Sequence, residues 1–203
     1  MKLGLIVLAV LVLGLAPRAA VAVPPALREG THPLWVTMTL GPVIAVRDPK
    51  YHGYEGDAPT QITLMQTLGV HFSGRADGPA FAFDLQEGFG DSFTVFAVVP
   101  KFVYDIRVVS GLGFYLSPIA GLGFALAAPD CECPRFFPDC GCDNYLGLTL
   151  QLGFEGKLVL GDRGLVFFRP FHLEIDLMHA PDPIDEMGTA VRYGLLFGGG
   201  VIF

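Results

Sequence analysis

Strict two-residue alternation is the feature that most limits what this chain can become. Leu146, Leu148, Leu150, Leu152 and Phe154 fall on one side of an extended segment, and Gly147, Thr149, Gln151, Gly153 and Glu155 on the other. Successive side chains point to opposite faces in a β-strand, so the segment reads as a strand with one apolar face. The rhythm returns downstream. Phe171, Leu173, Ile175 and Leu177 alternate with His172, Glu174 and Asp176. Val191, Tyr193, Leu195, Phe197, Val201 and Phe203 lie opposite Arg192, Gly194, Gly198 and Gly200. Upstream, Phe102, Tyr104 and Ile106 face away from Lys101, Asp105 and Arg107. Leu112, Phe114, Leu116, Leu122, Phe124 and Leu126 face away from Gly113, Tyr115, Ser117, Gly121 and Gly123.

Eight such segments are expected, near 34–47, 60–73, 79–88, 92–107, 111–126, 144–155, 164–178 and 188–203. The second departs from the pattern, because Gln66 falls on its apolar face. Pro42 and Pro100 interrupt the first and fourth, and a missing ladder donor predicts a bulge or a local distortion at each. Connections alternate in length. Segments 48–59, 127–143 and 179–187 are long, while 74–78 and 108–110 are short. Segment 156–163 is long for a tight turn and leaves room for strand extensions, and 89–91 is short where a long loop is due. An even number of strands returns both chain ends to one side.

Composition decides what surrounds the sheet. Only 16% of residues are charged, and Lys50, Lys101 and Lys157 are the only lysines after Lys2. A water-facing surface carries more charge than this. Yet no run beyond the N-terminus is apolar enough for a spanning helix. A sheet closed on itself in lipid reconciles the two. Closure satisfies every backbone polar group internally, and each strand then needs only one apolar face. The predicted fold class is all-β, a membrane-spanning antiparallel up-and-down β-barrel of eight strands. A soluble barrel or sandwich is the competing reading. Its outer face would carry more charge than the polar face here, which is dominated by Gly, Thr, Ser and scattered charges.

Lys2, the apolar stretch Leu3–Leu15 and the small residues Ala19, Ala20 and Ala22 have the order of a secretory signal. Residues 1–22 are expected to be removed, leaving 23–203 as the barrel with a cysteine-rich external loop at 127–143. Lys2 and Arg18 leave with the signal, so 13 − 2 = 11 basic residues face 20 acidic ones and the net charge becomes −9. That balance argues against a nucleic-acid partner.

The C-terminal segment Ala190–Phe203 resembles the closing strand of small eight-stranded Gram-negative outer-membrane β-barrel proteins. In that family the last strand alternates apolar residues and ends in an aromatic that the barrel-assembly machinery reads. The resemblance implies that Tyr193, Leu195, Phe197, Val201 and Phe203 form the assembly signal. It also implies outer-membrane lipid and lipopolysaccharide as the surroundings.

The polar faces bring ionisable residues to the barrel interior: Asp84, Lys101, Asp105, Arg107, Glu155, His172, Glu174, Asp176 and Arg192. A narrow lumen cannot leave them unpaired. Eight strands leave an interior just wide enough for side chains, so an ionic plug is favoured over a pore. His172, Glu174 and Asp176 share one face, but their spacing of about 6.6 Å along a strand prevents one strand alone from converging on a metal. No metal or other cofactor is expected. His71 and Ser73 form an H-x-S pair that superficially resembles one used by lipid A deacylases, without a matching acidic partner.

All four cysteines fall within one loop, as Cys131-Glu132-Cys133 and Cys140-Gly141-Cys142. Export favours disulfides. The nested pairing Cys131–Cys142 with Cys133–Cys140 suits a hairpin, the crossed pairing is the main alternative, and a Cys₄ zinc site is the rival chemistry. Phe136 and Phe137 between them are candidate contacts for an unidentified surface partner. The leading functional expectation is a structural or surface-interaction barrel without catalysis. The alternative is a narrow channel for small solutes or ions, and a lipid-modifying enzyme is the third reading.

Overall fold

The computed structural model describes residues 33–47, 60–90, 93–109, 113–129, 144–179 and 188–203. The signal segment 1–22, the cysteine loop with Phe136 and Phe137, and the acidic segments 48–59 and 180–187 lie outside them. Eight strands follow one another: β1 (Leu34–Arg47), β2 (Gln61–His71), β3 (Gly78–Phe89), β4 (Phe93–Val109), β5 (Phe114–Pro129), β6 (Tyr145–Leu160), β7 (Gly164–His179) and β8 (Gly188–Ile202). Each pairs antiparallel with its neighbour in sequence, and β8 pairs with β1 to close the barrel. Leu34 and Phe203 lie at one end with the β2–β3, β4–β5 and β6–β7 turns. This is the turn end, and the opposite rim is the loop end. Gly113 and Gly161 adopt positive φ there, where a side chain would be strained.

The ladder defines the barrel's geometry. A path through paired residues runs Leu34, Val70, Phe81, Phe102, Ala120, Leu152, Leu173, Tyr193 and back to β1 at Ile44. It returns 44 − 34 = 10 residues nearer the loop end. Eight strands with a stagger of ten tilt by roughly 40° and enclose a lumen about one layer of side chains wide.

Polarity is inverted relative to a water-soluble protein. Outward residues such as Leu122, Phe124 and Leu68 are 58%, 62% and 56% exposed, while inward Lys101, Asp84 and Arg169 are at most 1% exposed. Apolar residues cover the outside and charged ones fill the inside, which is the arrangement lipid demands. The chain spans a membrane through its strands.

Three local findings refine the sequence reading. β5 and β6 run further than expected, to Pro129 and Leu160, because the alternation continues through Lys157 and Val159. The prolines at 42 and 100 add no residue to their strands. Pro42 pairs with Ile62 and Pro100 with Phe83 in register, while the ladders to β8 and β5 skip two pairs and resume unshifted. The interior bulge sits instead at Pro170. Both neighbours of β7 lose one step there, between Phe154 and Gly156 on β6 and between Leu196 and Gly194 on β8. The extra residue flips the phase of β7, so Leu165, Phe167 and Arg169 point inward before it and His172, Glu174 and Asp176 after it. The Tyr193 hydroxyl donates a 2.5 Å hydrogen bond to the freed Pro170 carbonyl.

At the turn end the ring of the chain's single tryptophan, Trp35, covers Gly69, its paired neighbour on β2. A Cβ on Gly69 would come within 2.0 Å of the indole ring. The ring is buried, so it has nowhere to retreat. Gly69→Ala is therefore expected to destabilise the barrel by about 1–3 kcal/mol through overpacking. Urea unfolding in vesicles followed by Trp35 fluorescence should show a lower midpoint and a shifted native emission.

Candidate functional site

The lumen is the candidate site. Five buried carboxylates, Asp84, Asp105, Glu155, Glu174 and Asp176, face four buried basic side chains, Lys101, Lys157, Arg169 and Arg192, together with His71 and His172. Opposite charges must meet across so narrow a space, because neither can reach water.

Contacts run the length of the barrel. At the turn end, Asp105 accepts hydrogen bonds from Lys157 at 2.8 and 3.1 Å, lies 2.6 Å from His71 Nε2 and accepts from the Ser117 hydroxyl. Lys157 also sits 4.6 Å above the Trp35 ring and 3.6 Å from Glu155. One level up, Lys101 lies 2.9 Å from both Asp84 and Glu155. Arg169 bonds Glu155 and lies 3.5 Å from Asp84, completing a four-charge knot. Thr67 donates to Asp84 at 2.6 Å. Above the knot, Arg169 reaches His172 at 3.3 Å, and His172 lies 2.6 Å from Glu174. Gln151 bridges Gln86 and Glu174 at 2.9 and 3.3 Å. Near the loop end, Arg192 contacts Asp176, Gln61 at 3.2 Å and Glu174 at 3.9 Å. The interior is thus one connected ionic column.

Asp84, Lys101, Asp105, Glu155, His172, Glu174, Asp176 and Arg192 all occupy this column. Arg107 does not. It keeps the inward phase of β4 and pairs with Tyr115, the register shift coming only after it, but it stands at the barrel's turn-end mouth. Arg107 is partly exposed there, bonds the Tyr115 hydroxyl at 3.1 Å and lies 3.8 Å from Asp77. Three members of the column, Lys157, Arg169 and His71, are absent from the interior set expected from the sequence. Lys157 is one alternation step beyond Glu155 and was hidden by ending β6 too early. Arg169 was hidden by the Pro170 bulge. The sequence signal for it is a conflict of phase, since Arg169 and His172 cannot both point inward in a regular strand.

His71 and Ser73 are parted by the strand end. His71 is buried on Asp105, whereas Ser73 is exposed in the turn and donates to the Asp77 carbonyl at 3.0 Å. The void bordered by Trp35, His71, Asp105, Tyr115 and Lys157 measures about 10 Å³, the room of a single water. His172 meets Glu174 directly, while Arg192 stands between Glu174 and Asp176, so the three do not converge on one point. On β8, Tyr193, Leu195, Phe197, Val201 and Phe203 share the outward face, with Phe203 half exposed at the turn end.

No protein-family model matches the chain, and no curated protein matches it. Solved structures do. Neisserial surface protein A superposes with a TM-score of 0.63 at 11% identity, over 84% of this chain and 97% of that one. The chain has the fold of the small eight-stranded outer-membrane barrels. Ail of Yersinia pestis aligns at 17% identity over 86% of this chain and 99% of its own, with a TM-score of 0.43. OprG of Pseudomonas aeruginosa aligns at 16% identity over 86% and 98%, with a TM-score of 0.41.

Within this barrel Arg169 holds two carboxylates from a fully buried position. Removing one partner of a buried pair strands the other charges, at a cost of about 3–5 kcal/mol. Arg169→Met should lower stability by that order in urea titrations. A double-mutant cycle with Glu155→Gln should give a double mutant more stable than the sum of the single losses predicts.

Proposed function

We propose that this chain is exported through its N-terminal signal and works in the outer membrane as a structural or surface-interaction barrel without catalysis. The observation that carries this reading is the ionic column, which fills the lumen from Asp105 to Arg192. A conducting path would need several of these pairs to part together, leaving charges unpaired in a low-dielectric interior. Outer-membrane lipid and lipopolysaccharide are the proposed surroundings, and the outward face of β8 ending at Phe203 is the proposed assembly signal. Purified protein in planar bilayers is expected to give no reproducible conductance steps. Regular openings would favour the narrow-channel reading instead.

The external loop at 127–143 is the proposed surface element. Its four cysteines form two disulfides in this reading, with the nested and crossed pairings both open, and Phe136 and Phe137 offer the contact surface. Non-reducing peptide mass mapping should recover cross-linked peptides containing Cys131, Cys133, Cys140 and Cys142. Four thiols that alkylate without reductant, or one chelatable zinc, would refute the bridges.

A further inference from the structure

The outward face carries one anomaly. Among the described strand residues, the only amide or carboxylate side chains on that face are Gln66 on β2 and Glu87 on β3. Both are half-buried, and neither has a hydrogen-bond or ion-pair partner among the described residues. Their outward neighbours are apolar: Leu68, Leu40, Leu85, Phe89 and Phe96.

Depth separates their roles. Gln66 is five residues from each end of β2, since 66 − 61 = 71 − 66 = 5, and so sits near the bilayer centre. Leu64 pairs with Glu87, and Gln66 with Leu85. Glu87 is therefore one strand over and two residues nearer the loop end, a step of on the order of 8 Å. The ladder climbs toward the loop end from β1 to β8, so this step is nearly parallel to the membrane normal. Glu87 thus lies closer to the loop-end interface than Gln66. Gln66 is left in hydrocarbon, where an unsatisfied amide is costly.

We propose that Gln66 is the centre of a two-fold interface with a second copy of this chain. An amide carries a donor and an acceptor. Two copies related by an axis along the membrane normal present Gln66 at equal depth, and each N–H donates to the other's carbonyl. No other partner is needed, and the contact is isologous. The same axis brings the two Glu87 carboxylates near each other on the loop-end side of Gln66. Their repulsion opposes the association and sets a second, opposite-signed signature.

This inference rests on the membrane placement proposed above, and the test separates the two. Full-length mature protein and the variants Gln66→Leu and Glu87→Gln are folded into micelles, and a heat-modifiability gel first establishes the folded barrel. Sedimentation equilibrium in density-matched buffer then measures self-association. The wild type should form dimers, Gln66→Leu should associate about tenfold more weakly, and Glu87→Gln should associate more tightly. A folded wild type that stays monomeric would overturn the proposal. So would equal association of wild type and Gln66→Leu, or weaker association of Glu87→Gln. A chain that shows no heat-modifiable barrel would instead count against the membrane reading itself.

Discussion

The width of the lumen governs this structure. Eight strands staggered by ten residues bring opposite walls so close that an inward side chain must meet one from across the barrel. Large inward residues also need small ones beside them, as Trp35 needs Gly69, its paired neighbour on β2. Charged inward residues need counter-charges within reach, as Arg169 needs Glu155 and Asp84. The ionic column is what a narrow, closed ladder imposes on a chain whose charged strand residues mostly face inward.

Lipid enforces that inversion. The outer wall gains nothing from burying Leu122 or Phe124, because hydrocarbon is as apolar as they are. Hydrogen-bonded closure of the sheet holds the wall, and the ionic column specifies how the strands sit against one another. Buried ion pairs contribute little net stability compared with apolar packing, yet breaking one is costly. The knot of Asp84, Lys101, Glu155 and Arg169 draws on β3, β4, β6 and β7, so a slip of any of these strands would leave a charge unpaired. The Pro170 bulge belongs to the same design. It turns Arg169 and His172 into one lumen, where a regular strand would send one of them into lipid.

Much of this was legible in the residues. β6 and β8 state their two faces without ambiguity, and alternating loop lengths indicate strand number and direction. What stayed hidden depends on register and phase. Alternation within a strand says which residues point inward, but not that Lys157 meets Asp105 or that Arg192 meets Asp176. Those pairings follow from the stagger, which no single strand encodes. Arg107 continues the inward alternation of β4, but at the turn-end mouth, where it meets Tyr115 and Asp77 and does not reach the column. Arg169 was missed because a bulge reverses phase in mid-strand, and Pro42 and Pro100 drew attention away from Pro170. Gln66 was visible as a break in an apolar face, but its depth became clear only from the ladder.

The central claim is that this closed sheet turns its apolar face to lipid and its charged face inward. A tryptophan placed at Leu152, in the outward wall of β6, tests it most directly, with Trp35 alone in the native lumen as the built-in control. In vesicles, lipid brominated deep in its acyl chains should quench the Leu152→Trp fluorescence strongly, while aqueous iodide should not, and native Trp35 should be shielded from iodide. Quenching of the introduced tryptophan by iodide but not by brominated lipid would contradict the account.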